Sequence, residues 1–171
     1  MRTLTVAQTI PAPIDEVFDV YTEHEKLSGV LGVRSCKLTR EGDTEKNGLG
    51  AIRELDCGAI WLREEITGFD RPRRMEYRIT KSRPRSNHEY GQVDFVETPG
   101  GTTVTWSTRF GVRAPGIGKL VEPGFAIGFG IAFRMVLRNV AQRVQAGNRA
   151  GASSAGASGA GANRTAVNGG R

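Results

Sequence analysis

Two cysteines and two histidines are the only thiol and imidazole groups in this 171-residue sequence. Cys36 and Cys57 fall on different predicted strands. His24 and His88 lie far apart, in polar stretches that read as exposed, and no Cys/His/Asp cluster has ligand spacing. That argues against a zinc or iron centre, and no cofactor is expected. Two lone thiols without a disulfide framework fit a reducing, cytoplasmic setting. The first ten residues lack the continuous apolar run of a secretory signal. The most apolar stretch, Phe125 to Phe133, is about half the roughly 20 residues that span a bilayer, so stable membrane insertion is not expected. A phosphate-cradling glycine loop and a nucleophile elbow are also missing: Gly48-Leu-Gly-Ala-Ile-Arg53 sits on a strand and lacks the right continuation. Charge of one sign is scarce as well. Half of the net +6 lies on Arg149, Arg164 and Arg171 near the C-terminus, leaving the rest only mildly basic and giving no reason to expect a nucleic-acid partner.

What is present is a chain long enough for one domain with a substantial core. Leu4, Val6 and Ile10 alternate with polar residues as in a half-buried strand. Pro11 and Pro13 stop it, and Asp15 and Glu16 then stand where negative charge favours a helix N-terminus. Ile14, Val17, Phe18 and Tyr21 form one helical stripe. A short second helix or turn, 23–30, precedes a strand near 33–40. Further strands are predicted over 51–56, 60–67, 73–81, 89–98 and 102–112, with a basic loop at 81–87. Beyond Pro115-Gly116 a long helix runs to about Gln145, broken or kinked at Pro123-Gly124. From Gly147 onward the chain is Gly, Ala, Ser and Asn with the three arginines, which reads as a disordered tail over 147–171.

The hairpin around Gly58-Ala59 is the most informative segment. A two-residue II′ turn there, with glycine at the first central position, sets Leu55 opposite Leu62, Arg53 opposite Glu64 and Ala51 opposite Ile66 on one face. Glu54, Asp56, Arg63, Glu65 and Thr67 take the other. Arg53 and Glu64 are thereby predicted to meet on the apolar side. The order strand, short helices, six hairpin-connected strands and long helix describes an α+β domain over 1–146, with the helix covering one face of an antiparallel sheet.

That order, with Ile10-Pro-Ala-Pro-Ile-Asp-Glu-Val-Phe18, Gly48-Leu-Gly-Ala-Ile-Arg53, Arg63-Glu-Glu-Ile-Thr67, Asp70-Arg-Pro-Arg-Arg-Met75 and Gly101-Thr-Thr-Val-Thr-Trp106, resembles the START/polyketide-cyclase (SRPBCC) superfamily, and most of all its bacterial polyketide cyclase/dehydrase-like branch. The resemblance covers roughly residues 3–145. It implies the helix-grip fold: a curved seven-stranded antiparallel sheet wrapped around a long C-terminal helix, with two short helices after strand 1 and an apolar cavity beneath the long helix. Its members include cyclases, lipid carriers and receptors, so it implies no single activity.

Arg53 and Glu64 are candidates to hold a ligand carbonyl or carboxylate, the alternative being a structural ion pair. Tyr77, Phe95, Trp106, Phe110, Phe129 and Phe133 are candidates to line a pocket for a ring system or acyl chain, the alternative being plain core. The glycine-rich segment 124–133 reads as a helix start packed on the short helices, or else as a gate or membrane-touching patch. Arg71, Arg73, Arg74, Lys81, Arg83 and Arg85 read as a solvated surface, the alternative being attraction of anionic lipid or an acidic partner. The leading function is binding of a hydrophobic small molecule such as a lipid, polyketide or isoprenoid-like compound. A cyclase/dehydrase-type enzyme and a ligand-free protein-interaction module are the alternatives.

Overall fold

Among the described residues, alternation of apolar and polar side chains produces seven strands: β1 (Arg2–Ile10), β2 (Ser35–Arg40), β3 (Ile52–Asp56), β4 (Trp61–Asp70), β5 (Arg74–Arg83), β6 (Ser86–Thr98) and β7 (Gly101–Val112). The computed structural model describes residues 1–30, 32–112 and 118–161. The strands form one antiparallel sheet in the order β1-β7-β6-β5-β4-β3-β2. Between β1 and β2 stand helix α1 (Ile14–Thr22) and a single 3₁₀ turn, His24–Leu27. Helix α2 (Gly118–Gly161) is the last element among the described residues. This is the helix-grip architecture.

Each element follows from local chemistry. In α1, Asp15 and Glu16 occupy the first turn, complementing the helix dipole where no side chain caps it. Its stripe of Val17, Phe18 and Tyr21 is buried. In α2, Phe133, Val136, Leu137, Val140 and Val144 bury one face, which packs on β1, β7 and α1. Arg143 fastens the two helices, donating to the Val20 carbonyl at 3.2 Å and to the Glu23 carboxylate. A cation at the carbonyl end of α1 is favoured by the dipole. The β3–β4 hairpin has the register that its turn demands: Leu55 faces Leu62 and Arg53 faces Glu64, with Gly58 at φ +82°.

Several expectations need correction. The second short helix is only the 3₁₀ turn, and β2 begins at Ser35. The segment 81–87 is not an open loop, since β5 runs to Arg83 and β6 starts at Ser86. Helix α2 passes through Pro123-Gly124 without a break. Pro123 lies within its first two turns, where the missing N–H costs one hydrogen bond. Nor does α2 end near Gln145: it continues to Gly161, through a segment whose alanines favour helix. The predicted turn at Pro115-Gly116, and Arg164 and Arg171, lie outside the described residues.

Candidate functional site

A cavity of about 400 Å³ lies between α2 and the concave face of the sheet. The hairpin contributes Leu55 and Leu62, and α2 contributes Phe129, Phe133 and Val136. It opens beside Gly32, Gly124 and Gly128, all exposed. A Cβ added at Gly124 or Gly128 would meet nothing, so this stretch of helix leaves the opening unobstructed.

One corner of this apolar space is polar. Arg53 Nε donates to Glu64 Oε2 at 2.7 Å, and both side chains are almost fully buried, at 3% and 5% exposure. Burial pulls the Arg53 pKa down, but Glu64 above all, with Cys36 and Tyr21, more than offsets it, so the guanidinium stays charged. Among the described residues the pair makes no other side-chain hydrogen bond. Both line the cavity. Tyr21, from α1, lines the same cavity close to Arg53. Burial pushes the Tyr21 pKa well up, the nearby Arg53 partly countering it, so the hydroxyl remains a donor.

A second, narrower space of about 40 Å³ adjoins the first, sharing Ile60, Leu62, Glu64, Phe129 and Phe133 with it. Tyr77 organises this end. Its hydroxyl accepts from Trp106 Nε1 at 2.9 Å, its ring stacks on His88 with centroids 5.5 Å apart, and Arg53 lies over the ring at 5.5 Å. His88 Nδ1 accepts from the Ile79 backbone N–H at 3.0 Å, which places the imidazole proton on Nε2, 3.0 Å from Thr108 Oγ1. Thr108 in turn donates to the Tyr90 carbonyl at 3.2 Å. The network is closed on itself, and its groups are already occupied with one another.

Residues 1–145 match the family described as polyketide cyclase / dehydrase and lipid transport. The chain belongs to that family. Solved structures repeat its fold at low identity. A START superfamily protein from Mycobacterium smegmatis is 10% identical with a TM-score of 0.66, over 84% of this chain and 97% of that one. The major latex-like protein 151 of Panax ginseng is 15% identical, TM-score 0.66, over 83% and 96%. The ZhuI aromatase/cyclase of a Streptomyces strain, R1128, is 18% identical, TM-score 0.62, over 84% and 95%. No curated protein matches the sequence.

Within this family member, Arg53, Glu64, Trp106, Phe129 and Phe133 share the walls of the larger cavity, while Tyr77 and Phe110 line the narrower one. Phe95 stands apart: it packs edge-on against Phe18 and Tyr21, 5.1 and 5.4 Å between centroids, and lines neither space. Trp106 stacks flat on Phe133 at 3.7 Å. Sequence reasoning missed Tyr21, whose place on the α1 stripe marked it only as core. It also misplaced both histidines. His24 is fully buried, with neither ring nitrogen hydrogen-bonded among the described residues; the charged Glu23, Glu25 and Lys26 around it disguised one inward position. His88 turns inward because β6 carries a bulge between His88 and Tyr90, which reverses the alternation. No described group of three His, Cys, Asp or Glu could hold a metal ion, and no described helix is long and apolar enough to cross a membrane.

Two imidazoles held neutral make stability depend on pH. Burial lowers the His88 pKa to about 4, with Arg78 adding to the effect, and burial with Arg53 lowers that of His24 well below 6.5. The unfolded chain protonates both near 6.5, so over the window from about 6.5 down to about 4 it binds more protons than the folded one and stability falls as pH falls. The expected loss between pH 7 and pH 5 is on the order of 5 °C in Tm. A His88→Gln variant, whose amide can serve both partners, should show a shallower slope in a thermal melt series. A slope equal to that of the wild type would remove His88 from the account.

Proposed function

We propose that the protein binds a hydrophobic small molecule carrying one hydrogen-bond-accepting group, with its apolar body against Leu55, Leu62 and Phe129 and its polar group on Arg53 and Tyr21. The carrying observation is a charged guanidinium with uncommitted donors at the inner corner of an otherwise apolar cavity. Burying a charge is costly unless its donors are used, and a ligand carbonyl or carboxylate would use them bidentately. The volume falls in the range of small-molecule sites and fits a ring system or a short acyl chain of the lipid, polyketide or isoprenoid-like kind. Holding is favoured over proton transfer because Arg53, Tyr21 and Tyr77 are all shifted away from neutrality. The open cavity likewise favours a ligand over a ligand-free interaction module. The domain proposed to carry this activity is 1–146, and the two unpaired thiols, Cys36 and Cys57, support a reducing, cytoplasmic location.

The test is native mass spectrometry of protein purified from its own host, paired with displacement of a bound anilinonaphthalene sulfonate by fatty acids and aromatic polyketides. We expect a reproducible small-molecule adduct, and displacement weakened at least about tenfold in Leu55→Trp, which puts an indole into the cavity. A protein that carries no adduct and ignores the whole panel would overturn the reading.

A further inference from the structure

The β5–β6 pair does not hold together along its length. Backbone pairing runs from Arg74↔Asp94 to Tyr77↔Gly91 and stops there, although both strands continue for several residues. Beyond that point the seam is closed by side chains: the His88 ring accepts the Ile79 N–H, and Ser82 Oγ bonds Ser86 Oγ and accepts the Ser86 N–H, each at 2.9 Å. On the inner side of the seam lies the narrow extension of the apolar cavity. Around the hairpin tip, along β4 and the end of β5, lies a polar groove of about 600 Å³ whose lining includes Arg63, Lys81, Arg83 and Arg85 and no acidic residue. The two spaces share Ser82, Pro84, Arg85 and Ser86, so only the hairpin tip divides them.

The groove's charge is unbalanced. Arg63 has Glu54 only at 3.9 Å. Among the described residues no carboxylate lies within ion-pair range of Lys81, Arg83 or Arg85, although most other cations of the sheet, such as Arg40, Arg74 and Arg109, are paired. Arg83 instead lies over the Trp61 ring at 5.8 Å. Like charges gathered in one concavity repel each other until an anion enters, and arginine forks match phosphate oxygens in geometry.

Resting on the reading of the cavity as an apolar ligand site, we propose that the ligand is an amphiphile bearing a phosphate or phosphodiester group. Its apolar chain occupies the cavity, it passes the β5–β6 seam at the Ser82–Ser86 latch, and its phosphate sits in the polar groove on Lys81, Arg83 and Arg85. A phospholipid headgroup and a soluble alkyl phosphate share this chemistry.

The experiment titrates the full chain by calorimetry with dispersed dodecyl phosphate and with 1-dodecanol, which differ only in the headgroup. The wild type is compared with the double variant Lys81→Gln, Arg83→Gln, whose two sites are exposed and line neither apolar space. The expected result is dodecyl phosphate bound about tenfold tighter than dodecanol, the advantage shrinking with added salt and vanishing in the variant while dodecanol binding is unchanged. If dodecanol binds and the phosphate adds nothing, this inference falls and the cavity reading stands. A phosphate advantage that survives in the variant assigns the headgroup to Arg53 inside the cavity and also overturns it. If neither compound binds, the cavity reading itself fails and the inference goes with it. Vesicles of phosphatidylcholine with phosphatidylglycerol then separate the sources. Phospholipid extracted from them supports a bilayer origin, and uptake of dispersed dodecyl phosphate alone supports a soluble one.

Discussion

Glu64→Leu will destabilise the protein by about 3–5 kcal/mol, because it leaves the Arg53 guanidinium buried without its counter-ion. Glu64 supplies the carboxylate 2.7 Å from Arg53 Nε, and among the described residues it is the only ion-pair partner Arg53 has. Urea unfolding measures the loss. The informative companion is Arg53→Met with Glu64→Leu, which removes both charges and fills the corner with apolar atoms. Burying an ion pair costs desolvation that its attraction barely repays, so the double variant should recover to within about 1 kcal/mol of the wild type. It should also lose affinity for carboxylate-bearing ligands while still taking up neutral apolar ones. A Glu64→Leu cost below about 1 kcal/mol would mean that water in the cavity already solvates Arg53, and the argument for its uncommitted donors would weaken with it.

Gly91→Ala will cost about 3–5 kcal/mol, a large effect for one added methyl group. Gly91 is the last residue of β6 paired with β5, opposite Tyr77, and the Tyr77 ring lies across it. A Cβ at Gly91 would stand 2.1 Å from Tyr77 Cζ and 2.4 Å from Cε1. The ring must therefore leave, and with it go the Trp106 hydrogen bond, the His88 stack and the contact under Arg53. Overpacking contributes part of the cost, and the orphaned Trp106 N–H contributes the rest. The check is a double-mutant cycle with Tyr77→Ala. In that background the added methyl meets no ring, so Gly91→Ala should cost almost nothing, and equal costs in the two backgrounds would disprove the clash.

Much of the candidate site's geometry was legible before the fold was known. Arg53 and Glu64 could be placed together because a two-residue turn at Gly58-Ala59 leaves one register open, and strand alternation then assigns each side chain a face. Trp106, Phe129 and Phe133 followed from the same two periods. The failures have a common cause. Phe95 and Trp106 alternate inward equally well, yet one packs on Phe18 and Tyr21 while the other reaches the cavity. His88 was lost to a bulge, and His24 to its charged neighbours. Tyr21 reads as an ordinary member of a helical stripe, and nothing local says that its hydroxyl ends in a polar corner.

The sequence by itself thus determined the order of the strands, most of their inward faces and the hairpin register, since these depend on periodicity and turn chemistry within a few residues, and the resemblance of its motifs gave the family. Only the tertiary structure decided that the helix and sheet stand far enough apart to leave about 400 Å³ between them, which aromatics border that space, and where β5 and β6 part. Alternation states the direction of a side chain. The distance to what it meets is set by sheet curvature, bulges and the seating of a helix from the far end of the chain, and these are properties of contacts between residues remote in sequence.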